Sequence, residues 1–344
     1  MTGAERFLAA ARREPVDCTP IWFMRQAGRI LAGYRELRER YDILTLTRTP
    51  DLCAQVTLMP VNELGVDAAV LYADIMLPLI GMGVPFTIDP GVGPIIESPL
   101  RSDEDINRLR IVDPHDATPE LFEAIRLVRR ELDAKTAVIG FAGGPFTVAS
   151  YMLEGRPTKD FAHTKGLLYS EPDLWHRLME TLTEVTIRYL LAQVEAGVQA
   201  VQLFDSWAGT LARSDYEASV LPYSARIFTA LRGRVPTIHF ATGTSHLLEQ
   251  MASAGSDVVS VDWRLPIDEA WSRIGSDRGV QGNLEPAVLV APFEVVADRA
   301  RDVLRRVAGR AGHIFNLGHG VLPESPSDHL RRLTELVHAD TIRA

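Results

Sequence analysis

The sequence has very little lysine and cysteine, and both shortages narrow the chemistry that it can support. Lysine occurs only at positions 135, 159 and 165, so 33 of the 36 basic residues are arginine. None of these lysines ends an apolar run, which argues against a Schiff-base aldolase or a pyridoxal phosphate enzyme. The two cysteines, Cys18 and Cys53, form no metal-ligand or redox motif, so we interpret them as free thiols in a reducing compartment.

Long apolar runs and blocks of like charge are also absent. No run approaches the ~18 apolar residues that a membrane-spanning helix needs, and the first ten residues lack a secretory pattern. A net charge of -9 with no basic block argues against nucleic acid as the main partner. We therefore expect a cytoplasmic protein with no membrane partner. No H-x-C, C-x-x-C or H-E-x-x-H motif occurs, so no metal site is expected.

What the chain does contain is a repeat of short apolar runs separated by helical segments. The runs are apolar throughout, as in parallel strands that are covered on both faces. Eight runs have strand character: 21–24, 68–73, 137–141, 198–204, 237–240, 258–261, 280–283 and 313–317. Eight βα units predict an α/β fold, a single (β/α)8 barrel that forms one catalytic domain over residues 1–344.

Two additions to the barrel are predicted. A short N-terminal helix is expected over residues 4–13, and a β-hairpin is inserted near residues 84–97, with Asp89-Pro90-Gly91 as its turn. A doubly wound open sheet is the alternative fold. It is disfavoured because no G-x-G-x-x-G or Walker pattern follows any of the runs.

Function in a barrel gathers where the strands end, and Asp74 is the most informative residue there. It follows Leu71, Tyr72 and Ala73, and a carboxylate in such apolar surroundings is costly unless it meets a donor or a cation. The polar residues at other strand ends have structural alternatives as turn formers, helix caps or acceptors of amide hydrogen bonds. These residues are Asp205, Ser206, Thr242, Asp262, Asn283 and His319.

Arg25 and Arg29 follow the first apolar run, four residues apart. This spacing places both guanidinium groups on one side of the chain, where they suit a ligand with several carboxylates or phosphates. The alternative is that both form surface salt bridges with the many acidic residues. Together with Asp74, they indicate a cofactor-free site that binds a polycarboxylate and stabilises positive charge.

Six segments of the chain, in order, carry a specific family pattern. They are PIWFMRQAGR (20–29), LYADIMLPL (71–79), GFAGGPFTVASYMLEG (140–155), LFDSWAG (203–209), QGNLEP (281–286) and FNLGHGVLPESP (315–326). In these segments the sequence resembles the uroporphyrinogen decarboxylase family. The resemblance implies a homodimeric (β/α)8 barrel without metal or organic cofactor. It also implies removal of the carboxyl groups of all four acetates of uroporphyrinogen III, giving coproporphyrinogen III for haem synthesis.

The resemblance also assigns residue roles. Asp74 matches the aspartate that accepts the pyrrole N–H groups, and Arg29 is a candidate proton donor or relay, so these two are the predicted catalytic residues. The predicted substrate-binding residues are Arg25, Gln26, Ala27, Gly28, Arg29, Arg38, Asp74, Tyr151, Ser206 and His319.

The chain departs from the family pattern directly after Arg29. Ile30-Leu31-Ala32-Gly33 stands where the family often has Tyr-Leu-Pro-Glu, so the loop loses a proline and gains a glycine, which favours mobility. Two other functions are considered. A related barrel methyltransferase that handles a corrinoid or a folate would need zinc-binding thiols and histidines, and a tetrapyrrole-binding protein without activity would not need Asp74.

Overall fold

The computed structural model describes residues 1–89 and 91–343. Seven strands form one parallel sheet in the order β1-β4-β5-β6-β7-β8-β9, and β2 pairs with β3 in a separate antiparallel hairpin. The strands are β1 Ala68–Val70, β2 Phe86–Asp89, β3 Gly93–Ile96, β4 Ala137–Gly143, β5 Ala200–Phe204, β6 Thr237–Phe240, β7 Val258–Ser260, β8 Gly279–Leu284 and β9 His313–Leu317.

Helices precede, separate and follow the strands, and they cover the outside of the sheet. They are α1 Gly3–Ala11, α2 Ala32–Arg40, α3 Ile43–Arg48, α4 Pro50–Leu64, α5 Pro78–Met82, α6 Asp103–Asn107, α7 Pro114–Ala117, α8 Pro119–Leu132, α9 Pro145–Glu154, α10 Ala162–Ser170, α11 Pro172–Ala196, α12 Arg213–Ser219, α13 Leu221–Leu231, α14 Leu248–Ser253, α15 Ile267–Ile274, α16 Phe293–Val307 and α17 Ser327–Asp340, with short 3-10 turns at Ala208–Thr210 and Pro286–Val290. Within residues 1–89 and 91–343, no helix combines the length and the apolar character needed to cross a membrane.

The curled sheet confirms the predicted barrel, but the first predicted strand, 21–24, forms only a bridge. Ile21 pairs with Phe315 of β9, and its carbonyl accepts a hydrogen bond from Asp67 N–H, next to β1. The backbone N–H of Met24 donates instead to the Asn316 side chain. The segment therefore closes the barrel between β9 and β1 and then leaves the sheet, because side chains satisfy its later donors.

The predicted N-terminal helix and inserted hairpin are both present. Thr2 and Glu5 form a reciprocal capping box at the start of α1, which satisfies amide donors of the first turn. The hairpin pairs Phe86 with Ile96, and Pro90, predicted to lie in its turn, is outside the described residues. Ile96 N–H donates to the Gly155 carbonyl at the end of α9, so the hairpin docks beside a helix that carries a predicted site residue.

Buried polar groups tie the ends of the chain to the point where the barrel closes. The Asp67 carboxylate is almost fully buried and accepts hydrogen bonds from the backbone N–H of Ile21, from Arg6 Nη1 at 2.5 Å and from His338 Nε2 at 2.8 Å. Arg6 belongs to α1 and His338 to α17. One carboxylate therefore joins the first helix, the closing segment and the last helix.

Replacement of this carboxylate should destabilise the fold strongly. Asp67→Ala leaves Arg6 Nη1, the Ile21 N–H and His338 Nε2 without this acceptor, although Arg6 keeps its ion pair with Asp17, so we expect the free energy of unfolding to fall by about 3 kcal/mol. Urea unfolding measures the change. Asp302→Ala is the control, since Asp302 pairs with Arg305 and Arg306 on the surface and should change stability little. Equal losses in the two variants would contradict this role of Asp67.

Candidate active site

The arginine segment begins with an abrupt turn at Arg25, which has a φ of 62° in the left-handed region. Gln26 holds this turn: its side-chain oxygen accepts the Phe23 N–H at 2.9 Å, and its side-chain nitrogen donates to the Ala68 carbonyl of β1 at 2.9 Å. The Gln26 side chain is fully buried. It therefore braces the segment from inside, and its predicted contact with a substrate stays a prediction.

Two glycines give Arg25 its room. A Cβ atom at Gly28 would lie 2.9 Å from the Arg25 carbonyl oxygen, so the tight turn requires glycine there. A Cβ atom at Gly320 would lie 2.4 Å from Cδ of the Arg25 side chain. Gly320 therefore lets Arg25 lie across the loop after β9, beside His319. This role of Gly320 was missed at the sequence level, although the residue is part of the NLGHG motif.

Unlike Gln26, the other residues of the 25–29 segment are partly or fully exposed. Ala27 and Gly28 are partly exposed, and Arg29 is exposed, with its carbonyl oxygen accepting a hydrogen bond from Arg35 Nη1 at 2.8 Å. Arg38 is half-buried in α2 and donates to the Tyr41 carbonyl. Its charge acts on Tyr72, close to Asp74 in sequence. The three arginines thus come from one short stretch of chain on one side of the barrel.

Asp74 lies in the loop that follows β1, at the carboxyl end of the sheet. One carboxylate oxygen, Oδ1, accepts the Met76 N–H at 2.9 Å. Burial raises the pKa of Asp74 above its ordinary value, while this hydrogen bond and the positive charge of Arg25 oppose the rise. Met76 and Leu77 are buried beside it. The predicted apolar setting of this carboxylate is therefore observed, with Arg25 as its cationic neighbour.

Tyr151 lies on α9 and faces the same charges. Burial and the nearby Asp74 carboxylate raise the pKa of its hydroxyl, and Arg25 opposes the rise. The Tyr151 ring stacks on Trp207, with ring centroids 4.1 Å apart. Trp207 was not among the predicted site residues, although it directly follows Ser206 in the LFDSWAG motif.

Ser206 and Asp205 follow β5 and have different surroundings. Ser206 is partly exposed, and its carbonyl accepts the Thr242 hydroxyl at 2.9 Å. Asp205 is fully buried, and its Oδ1 accepts the Thr147 hydroxyl at 2.8 Å, which ties β5 to the first turn of α9. Burial raises the pKa of Asp205 to about 6, and hydrogen bonds from Thr147 oppose the rise. Asp205 therefore positions α9, in line with the structural alternative.

His319 follows β9 and lies at the end of a row of aromatic rings. Its ring centroid is 6.0 Å from that of Phe240, which in turn contacts Phe204. Burial lowers the pKa of His319 to about 4, and the positive charges of Arg25 and Arg264 act in the same direction. His319 is therefore neutral at physiological pH, so it can offer a ring nitrogen as acceptor as well as an N–H donor.

Asp262 and Asn283, the remaining polar strand ends, support loops. Asp262 accepts the Gly243 N–H at 2.6 Å, and Asn283 donates to the carbonyls of Asp262 and Leu265. In the part of the chain that the structure describes, no group of three or more His, Cys, Asp or Glu side chains is arranged to hold a metal ion.

The charge of Arg25 therefore acts on three of the predicted residues, which come from separate elements: Asp74 follows β1, Tyr151 lies on α9 and His319 follows β9. Ser206 joins them through its neighbour Trp207, which stacks on Tyr151. A parallel barrel with a partly buried carboxylate and arginines at the carboxyl ends of its strands has the architecture of a barrel enzyme that acts on an anionic substrate.

Comparison with known proteins identifies the family. Residues 2–339 match the family model for uroporphyrinogen decarboxylase (URO-D). A uroporphyrinogen decarboxylase from Sorangium cellulosum is 53% identical over 97% of this chain and 96% of its own, and one from Carboxydothermus hydrogenoformans is 49% identical over the same shares. The chain belongs to the uroporphyrinogen decarboxylase family, which confirms the predicted family and enzyme class.

Solved structures confirm the fold. A methyltransferase from Methanosarcina mazei superposes with a TM-score of 0.83 over 99% of both chains, at 20% sequence identity. A B12-independent methionine synthase from Shewanella superposes with a TM-score of 0.57 at 13% identity, covering 85% of this chain and 88% of its own. At these identities the likeness concerns the barrel architecture alone.

The buried carboxyl of Asp205 should leave a signature in the pH dependence of stability. A raised carboxyl pKa means that the folded protein keeps a proton that the unfolded chain has released, so the wild type loses stability as the pH rises from about 4 to about 6. Asp205→Asn removes this titration. Relative to the wild type, its free energy of unfolding should therefore rise by about 2 kcal/mol between about pH 4 and about pH 7.

Urea unfolding of both proteins across this range measures the difference. Asp42→Asn is the control of opposite sign, because the hydrogen bond from the Thr45 N–H lowers the pKa of Asp42. A stability difference between Asp205→Asn and the wild type that does not change with pH would contradict the burial effect.

Proposed function

We propose that this protein removes carbon dioxide from the four acetate side chains of uroporphyrinogen III and so produces coproporphyrinogen III in porphyrin and haem biosynthesis. The observation that carries the proposal is the partly buried Asp74 carboxylate, close to the charge of Arg25 and to Tyr151, in a chain of this family. It acts as a carboxy-lyase, and residues 1–344 form its single catalytic domain.

The decarboxylation needs a proton source and a negatively charged group that stabilises a cationic intermediate. Protonation of the pyrrole α-carbon beside the acetate-bearing carbon makes the ring cationic. The bond to the carboxylate then breaks, its electron pair moves into the ring, and carbon dioxide leaves. A proton adds to the exposed methylene carbon, and loss of the first proton from the α-carbon restores the pyrrole. Each cycle therefore consumes one proton and converts one acetate into a methyl group.

Asp74 stabilises the cationic ring. The porphyrinogen is a flexible macrocycle with four pyrrole N–H groups, and all four can converge on one carboxylate. N–H donors favour the charged form of a carboxyl and so counteract the burial that raises the pKa of Asp74. A fixed carboxylate in low-dielectric surroundings stabilises the developing cation more strongly than water does.

The arginines bind and orient the peripheral carboxylates. Arg25 and Arg38 bind acetates or propionates, and together with Arg29 they make an otherwise acidic protein locally positive, which steers an anionic substrate to the site. A tight clamp on the departing carboxylate would stabilise the ground state and slow its loss. We therefore assign Arg29 to proton donation or relay at the reacting acetate, rather than to tight binding of that carboxylate.

The remaining predicted residues shape the pocket. Tyr151, Ser206 and His319 contact the substrate, with His319 as a neutral hydrogen-bonding group. Gln26, Ala27 and Gly28 contribute through the turn that presents Arg25 and Arg29. We also propose that the enzyme uses no metal and no organic cofactor, acts in the cytoplasm and forms a homodimer, with uroporphyrinogen III as its small-molecule partner.

The test is anaerobic incubation of the purified protein with uroporphyrinogen III, in the presence of a chelator and without added cofactor. Products are oxidised and separated by their number of carboxyl groups. We expect a ladder from eight carboxyls down to four. Unchanged substrate, bound by folded protein, would contradict the proposal and indicate a tetrapyrrole-binding protein. Activity that requires added zinc or a corrinoid would instead indicate the methyltransferase chemistry.

A further inference from the structure

The arginines assigned to the substrate all come from one side of the barrel. No residue has yet been assigned to the substrate carboxylates on the opposite side. Arg25 and Arg29 lie between the closing segment and α2, and Arg38 lies on α2. A uroporphyrinogen carries an acetate and a propionate on each of its four pyrrole rings, so carboxylates extend from it in every direction. A barrel that encloses such a ring therefore meets carboxylates opposite Asp74 as well as beside it.

Arg264 occupies that opposite side. It follows β7, which is four strands further round the sheet than β1, whose loop carries Asp74. Because the closing segment makes the barrel a ring of eight positions, this is the point diametrically across from Asp74. The carboxyl end of β7 lies on the same face of the barrel as the carboxyl end of β1, since the strands are parallel.

The contacts of Arg264 hold its guanidinium group in place. Nη1 donates to Asp262 Oδ2 at 2.7 Å, and the guanidinium carbon lies 4.3 Å from the centroid of the Trp263 ring. Asp262 is itself fixed, because its two oxygens also accept the backbone N–H groups of Gly243 and Arg264. The guanidinium group of Arg264 is held by the Trp263 ring and by one hydrogen bond. Its remaining N–H groups therefore point in a fixed direction and are available to a ligand.

Arg264 and Trp263 lie next to the predicted site residue His319. A Cβ atom at Gly318 would lie 2.5 Å from the Trp263 backbone nitrogen and 2.9 Å from its ring, so Trp263 packs against the residue that precedes His319. The charge of Arg264 is also close enough to lower the pKa of His319. Arg264 is half exposed, with 50% of its side-chain surface accessible, whereas Asp74 is only partly exposed.

We propose that Arg264 is a further substrate-binding residue, which holds a propionate of the porphyrinogen at the rim of the cleft across from Asp74. The proposal rests on the function proposed above. A propionate is the better match than an acetate because the reacting acetate must approach the buried side of the cleft, while the longer propionate reaches the half-exposed rim. Arg264 would therefore contribute to binding of every intermediate, since the propionates are retained through all four decarboxylations.

The test compares Arg264→Gln with the wild type in the anaerobic decarboxylation assay. Loss of a charge-assisted hydrogen bond should raise KM for uroporphyrinogen III about tenfold. The value of kcat should stay within about twofold, because the lost interaction binds the substrate and the transition state equally. The inhibition constant of coproporphyrinogen III, which has only propionates, should rise by the same factor. Arg264→Lys should fall between the two, because it keeps the charge but loses the fork and the stacking.

Arg301→Gln is the matched control. Arg301 is also about half exposed and also pairs with an aspartate, Asp340, at 2.8 Å, but it lies on α16 on the outside of the barrel. It should leave both KM and the inhibition constant unchanged. If the wild type shows no decarboxylation at all, the proposed function itself fails.

Three results with active wild type would overturn the role of Arg264. The first is a KM for Arg264→Gln equal to that of Arg301→Gln. The second is a raised KM with an unchanged inhibition constant for coproporphyrinogen III, which would assign Arg264 to an acetate. The third is a fall in kcat and in Tm that Arg264→Lys does not reverse, which would make Arg264 a structural residue.

Discussion

Closure of the barrel by the segment around Ile21 is the constraint on which the site depends. The segment pairs with β9 at Ile21 and then leaves the sheet, because the side chains of Gln26 and Asn316 accept the N–H groups of Phe23 and Met24. The exit from the sheet places Arg25 in a left-handed conformation that points the chain across the end of the barrel. The same few residues thus complete the fold and supply the charge that reaches Asp74.

Two carboxyls at strand ends, Asp74 after β1 and Asp205 after β5, show how similar positions serve different purposes. Asp205 is fully buried and bonds to Thr147, so its hydrogen bonds hold α9 against β5. Asp74 is bonded to the backbone N–H of Met76 and lies within reach of the Arg25 charge. Asp205 therefore stabilises the scaffold that presents Tyr151, while Asp74 is left to bind the substrate. One carboxyl thus supports the fold of the site, and the other is available for the reaction.

Much of this arrangement was predictable from the sequence. Burial on both faces leaves a compositional signal, so seven of the apolar runs correspond to strands of the sheet. The run at 21–24 is equally buried and therefore carries the same signal. The N–H groups of Ile21 and Met24, however, donate to the side chains of Asp67 and Asn316, which are distant in sequence and which composition does not reveal. The setting of Asp74 was predictable because its apolar neighbours are adjacent in the chain.

Other features depend on contacts between distant parts of the chain. The brace from Gln26 to Ala68, the room that Gly320 leaves for Arg25 and the stacking of Trp207 on Tyr151 each join separate loops. The difference between Asp205 and Asp74 also depends on which residues from other strands surround each carboxyl. Local sequence identifies the polar residue at the strand end, but only the packed barrel distinguishes a carboxylate that supports a helix from one that is available to a ligand.

The central claim is that the negative charge of Asp74 stabilises the cationic pyrrole, and the kinetics of Asp74→Asn test it most directly. The substitution keeps the size of the side chain and removes its charge. We predict that kcat for uroporphyrinogen III falls by about a thousandfold or more, as for loss of a preorganised charge in a dry site, while the protein stays folded. A variant that stays folded and turns over at the wild-type rate would contradict the account.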